Sequence, residues 1–146
     1  MFCHHIDENK TILLAEPTIA KMHSFEYQKA HRLVYCNYFE HLLLHIKIVK
    51  EAHEKVGYED AMVGIGGAEM LWQQINGCYR NAPKDGWRKN VFDVIKDRYD
   101  EYLVIMKYIK QVIDNDICLQ KDYSEPKLAT DWDGKVIKSI YNDIYA

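Results

Sequence analysis

No apolar run in this chain approaches the eighteen or so residues that a membrane span requires, and its first residues lack the basic and apolar regions of a signal peptide. Those absences make a cytoplasmic protein, with no membrane association, the expectation. The four cysteines, Cys3, Cys36, Cys78 and Cys118, never form a Cys-x-x-Cys pair. A zinc ribbon or thioredoxin-like motif therefore has no support, and reduced, mostly buried thiols are expected. Basic charge is not in excess either: the net charge is −3, awkward for a nucleic-acid binder because phosphate neutralisation usually supplies much of the affinity. Its distribution is uneven, however. Residues 80–110 carry eight bases against five acids, and residues 111–146 four against seven, so a local basic surface is compatible with the total. Gly64-Ile65-Gly66-Gly67 is not followed by the Gly-Lys-Ser/Thr of a phosphate loop and reads as a turn between helices. No internal repeat or low-complexity tract is evident.

What the chain does have is enough apolar material for one core: 146 residues, 48% hydrophobic and 12% aromatic. Phe2 to Ile6 reads as a short strand, Asp7 to about Lys29 as a long loop with at most one helical turn, and Leu33-Val34-Tyr35-Cys36 as a second strand. A helix is expected from Asn37 or Tyr38 to Gly57, because Phe39, Leu42, Leu43, Ile46, Val49, Ala52 and Val56 recur at spacings of three and four. A second helix is expected over about Ala68 to Tyr79, and Ala82 to Gly86 then breaks the chain. Phe92, Ile95, Tyr99, Tyr102, Met106, Ile109 and Ile113 predict the longest helix, with a heptad stripe over 92–113 that serves as an intramolecular seam or a homodimer interface. Irregular structure around Pro126 and a last amphipathic helix from Asp131 or Asp133, facing inward through Val136, Ile137, Ile140 and Ile144, complete the reading. The fold class is thus α+β and mostly helical: a short strand–strand–helix motif over 1–57, and a helical extension over 58–146 packed on it in a single compact domain.

Four of the seven histidines occur as two local pairs. His4 and His5 are adjacent, so on an extended strand they point to opposite faces and only one can easily ligate a given ion. His41 and His45 are four apart, so on a helix they lie one above the other and can grip the same ion. His23 and His53 stand alone and read as packed or half-exposed side chains.

The order of strand with His-His, loop, short strand, and helix with Glu40-His41-Leu42-Leu43-Leu44-His45 resembles the HNH endonuclease family, the ββα-metal or His-Me finger nucleases. The resemblance covers about residues 2 to 55. It implies that His4, His41 and His45 bind one divalent ion, with magnesium, manganese, zinc or nickel all open, and that His5 is the general base that deprotonates the attacking water. Such an ion would polarise a phosphate oxygen and stabilise the leaving 3′ oxygen, while imidazole suits proton transfer near neutral pH. The middle Asn of the family pattern is absent. Arg32, or His31 beside it, takes that place, so the side-chain brace is lost although the backbone carbonyl that orients the base survives. Arg32 is assigned with His5 to the catalytic set, as a phosphate clamp through its planar guanidinium. Only Met1 to Cys3 precede the histidine pair, so the first strand is expected to be short, and the sequence leaves open whether a natural upstream segment is missing.

Asp7 and Glu8 are candidate outer partners that fix an imidazole tautomer, or solvated turn carboxylates. Arg80, Lys84, Arg88 and Lys89, interrupted by Trp87, could follow a nucleic-acid backbone with the indole stacked on a base, or form a solvated face. The function expected is metal-dependent hydrolysis of DNA phosphodiester bonds. The rivals are a non-catalytic helical module whose histidines bind structural metal or merely pack, and an RNA-directed or toxin-like nuclease using the same site.

Overall fold

A computed structural model describes residues 1–11, 13–56 and 64–115. Strands β1 (Phe2–His5) and β2 (Leu33–Cys36) pair antiparallel, with Phe2 opposite Cys36, Cys3 opposite Tyr35, His4 opposite Val34 and His5 opposite Leu33. The intervening segment holds one four-residue helix, α1 (Pro17–Ala20), and two 3-10 turns over Phe25–Gln28 and Ala30–Arg32. Pro17 opens α1, where its missing N–H costs nothing.

Helix α2 (Tyr38–Val56) starts where it does because Asn37 caps it. The Asn37 side-chain oxygen accepts from the backbone N–H groups of Phe39 and Glu40, at 2.9 and 3.1 Å, while the Glu40 carboxylate accepts from the Asn37 N–H at 2.8 Å. This reciprocal box satisfies three donors that the first turn would otherwise leave open. Tyr38, Phe39, Leu42, Ile46 and Val49 are buried on the inward face, as the periodicity requires.

Helices α3 (Ile65–Arg80), α4 (Gly86–Phe92) and α5 (Tyr99–Asp114) complete the described fold. One core joins them to α2. It runs through Phe39, Leu42, Ile46, Leu71, Ile75, Ile95, Tyr102 and Ile109, so the N-terminal motif and the helical extension do not have separate cores. The α+β, mostly helical class holds.

Two details differ from expectation. Helix α3 begins at Ile65, three residues early, and Gly66 and Gly67 lie inside it instead of in a turn. Gly64 makes the bend, at a φ of 92° that only glycine adopts without strain. The 92–113 stripe is not one helix either. Helix α4 ends at Phe92 and α5 starts at Tyr99, and in the turn between them the Ile95 carbonyl accepts from the Tyr79 hydroxyl at 2.6 Å and from the Arg98 N–H at 2.9 Å. The longest described helix is therefore α2. Phe92, Ile95, Tyr102, Met106, Ile109 and Ile113 are all buried within the chain, as an intramolecular seam requires. The helix end at Gly57, Cys118, the region of Pro126, the final helix from Asp131 or Asp133 and the side chain of His53 lie outside the described residues.

Candidate metal centre

Strand and helix repeats match at the site. Two residues along a strand advance about 6.6 Å, and one helical turn of four residues advances about 6 Å. Phe2 and His4 share the face of β1 that meets α2, so they stack against successive positions on it. The Phe2 ring lies 4.7 Å from Tyr38 and 5.1 Å from His41, and the His4 ring lies 5.1 Å from His41 and 5.2 Å from His45. With His41 and His45 themselves 5.0 Å apart, the three imidazoles form a nearly equilateral triangle.

One ring nitrogen from each of these histidines lies within 4.8 Å of the others, a set that ring rotations bring toward the spacing of about 3.3 Å expected between nitrogens on one tetrahedral ion. A more telling observation is what the nitrogens lack. Nδ1 of His4, of His41 and of His45 is buried without a hydrogen-bond partner, which costs about 1–3 kcal/mol per group if nothing takes its place. An ion binding the lone pairs of His4 and His41 would remove that cost there, whereas Nδ1 of His45 lies against Gly67 and near the Gly64 backbone.

Electrostatics favours the ligating form. Burial, followed by repulsion from the other two rings, pushes the His41 pKa down to about 3. Burial and His4 push His45 down to about 4, partly offset by the nearby Gly64 backbone, which is not aligned as a full hydrogen bond to Nδ1. His4 is lowered by burial and then by His5. All three are therefore neutral at pH 7, the form in which imidazole binds a metal.

His45 is held from behind. A Cβ placed on Gly67 would sit 2.3 to 3.0 Å from three atoms of its ring, so α3 can approach α2 here only because that position has no side chain. Neither Gly67 nor the cap at Asn37 was identified from sequence as serving the site, although the Gly-Ile-Gly-Gly run and the Asn-x-x-Glu spacing were the available signals.

His5 turns away from the triad, as alternation predicts. Its Nε2 lies 2.9 Å from the Gln28 side-chain oxygen, and the Gln28 amide nitrogen donates to the Leu14 carbonyl at 3.0 Å. A carbonyl can only accept, so the Gln28 nitrogen is fixed toward Leu14 and its oxygen toward His5. In the neutral form of the imidazole, Nε2 is then the nitrogen that carries the proton and Nδ1 the one that keeps the lone pair. Gln28 thus takes the orienting role expected of the Arg32 carbonyl, which instead accepts from the Ile6 N–H at 3.0 Å. Nothing in the sequence around Gln28 marks it.

The Arg32 side chain braces the turn after β1. Its guanidinium lies 3.3 Å from Asp7, whose carboxylate also accepts from Lys10 at 2.7 Å. The hydrogen bond from Lys10 holds the Asp7 pKa low, against burial and with help from Arg32. Asp7 thus pairs with cations in place of an imidazole. Glu8 is the carboxylate that meets the triad: its Oε2 is 3.1 Å from His4 Nδ1 and 3.9 Å from His45 Nε2, at ion-pair range but without the alignment of a hydrogen bond to His4. Burial raises its pKa, partly opposed by His5.

The four basic residues singled out earlier are not equivalent. Arg80 and Arg88 line a cleft of about 500 Å³ between α3 and the start of α4, together with Tyr38, Gln73, Gln74 and Asn81. Arg88 also packs over the Trp87 ring at 5.6 Å. Lys84 is exposed in the α3–α4 connection, outside that cleft, and Lys89 is paired with Asp93. The cleft adjoins the metal centre through Phe2, whose ring is 6.2 Å from Trp87 and contacts both Tyr38 and His41.

Among the described residues no helix is long and apolar enough to cross a membrane. No protein-family model matches the chain, and neither curated proteins nor solved structures give a match.

Proposed function

We propose that the protein is a one-metal endonuclease of the HNH type, hydrolysing DNA phosphodiester bonds. The observation that carries the reading is the set of three neutral imidazoles from β1 and α2, His4 and His45 buried and His41 half-buried, each offering a ring nitrogen within 4.8 Å of the others. His4, His41 and His45 would hold the ion. Bound there, a divalent ion supplies Lewis-acid activation of the phosphate and charge stabilisation of the departing oxygen. His5, with its tautomer set by Gln28, takes the proton of the attacking water on Nδ1. Arg32 acts by holding the β1 turn through Asp7, a different service from the phosphate clamp its chemistry also allows. Arg80 and Arg88 would receive the backbone of the substrate strand beyond the scissile phosphate, in the cleft that begins one helical turn from His41 at Tyr38.

The test is plasmid nicking by purified protein with added magnesium, manganese, zinc or nickel, with and without EDTA. Wild type should nick only with metal. His5→Ala should keep metal binding and lose at least a hundredfold in rate, in line with general-base contributions of about 10²–10⁴. Stoichiometric metal binding with no cleavage of single-stranded DNA, duplex DNA or RNA would instead make the centre structural, and cleavage of RNA alone would change the substrate.

A further inference from the structure

Glu8 is a half-buried carboxylate that faces the triad. Its side chain is 16% exposed; among the described residues His4 and His45 lie within ion-pair range of it and no Lys or Arg does, with His5 a more distant neighbour. A carboxylate turned into such a place gains from a positive partner. The orientation of His45 shows where that partner belongs. Its Nδ1 and Cε1 are the ring atoms pressed closest against Gly67, so Nε2 is the nitrogen turned to the triad, and Glu8 Oε2 lies 3.9 Å from it. The same oxygen is 3.1 Å from the unpartnered Nδ1 of His4. The 3.1 Å separation is close to the spacing of about 3.3 Å between neighbouring ligands of one tetrahedral ion, and a rotation of the Glu8 side chain would shorten the 3.9 Å one.

We infer that Glu8 is a fourth protein ligand of the centre, giving one carboxylate and three imidazoles in place of imidazoles alone. The inference rests on the metal-centre reading above. One turn supplies both kinds of ligand: Glu8 follows His4 by four residues, and the Glu8 N–H donates to the His5 carbonyl at 3.2 Å, which folds the chain back over the strand end. A carboxylate brings a hard oxygen to a nitrogen-rich set, so it widens the range of usable ions toward manganese and offsets one positive charge of the bound ion.

The test uses Co²⁺ alone as probe, titrated into full-length wild type, Glu8→Gln and His41→Ala, with calorimetry for affinity and the visible ligand-field spectrum for the coordination sphere. Glu8→Gln removes the charge at nearly constant volume. It should still bind one ion, at least tenfold more weakly, with a changed ligand-field spectrum, while His41→Ala should lose binding. An affinity within threefold of wild type with an unchanged spectrum overturns the role of Glu8 and leaves the three-histidine centre standing. Absence of Co²⁺ binding by wild type overturns both. Should Glu8→Gln fail to fold, X-ray absorption on Co²⁺-loaded wild type decides: three imidazoles plus a carboxylate support the inference, and three imidazoles with water alone overturn it.

Discussion

At the scale of single residues, the site depends on one side chain that is absent. Gly67 lies against the His45 ring, and an added methyl would overlap it. Gly67→Ala should therefore either push His45 out of the triangle or separate α3 from α2. Overpacking of this kind costs about 1–3 kcal/mol, and the affinity for metal should fall by tenfold or more while helix content is kept. Calorimetric titration beside a thermal melt checks both effects. Gly66→Ala is the control, because nothing lies within 4 Å of a Cβ there and alanine favours a helix; it should leave metal binding unchanged and raise stability slightly. Gln28 shows the opposite kind of dependence, in which a side chain far from His5 in sequence fixes its tautomer through two hydrogen bonds.

At the scale of elements, the presentation of His41 rests on the first turn of α2. Asn37→Ala removes the acceptor for two N–H groups and should cost about 1 kcal/mol, measured by urea denaturation, with fraying that reaches His41 before His45. The strands, the start of α2 and the separation of His4 from His5 were legible in the sequence because each is set by local rules: alternation, spacing and chain reversal. The same holds for His41 and His45, since helical geometry alone places them on one face. What was not legible depends on contacts between distant segments. Gln28 reaches His5 and Leu14 across a loop of mixed polarity. The turn between Phe92 and Tyr99 sets the Ile95 carbonyl on the Tyr79 hydroxyl, a contact between distant segments, while the three-and-four spacing of the stripe survives because Ile95 is still buried. Asp7 and Glu8 are adjacent acids with no local mark to separate them, and only the positions of Arg32 and His45 give them different partners.

At the scale of the whole molecule, the triad ties stability to pH. His41 and His45 have folded-state values near 3 and 4, below the unpaired value of 6.5, so the unfolded chain takes up protons first as the pH falls. Stability of the metal-free protein is therefore full above pH 6.5 and declines as the pH drops toward 4 and then 3. Thermal melts between pH 7.5 and 4.5 in EDTA should show this fall, and the His41→Ala, His45→Ala double variant should show a shallower one. Added metal should raise the melting temperature most at neutral pH, because protons compete for the same nitrogens. The triad also has a logical property that follows from its origin on two elements. Helix α2 presents two imidazoles wherever it forms, even in an otherwise loose chain, but the third arrives only when β1 has docked against it. Chelation by all three would thus be a conjunction, satisfied by the assembled N-terminal motif and by neither part alone, and occupancy of the centre would report whether assembly has taken place.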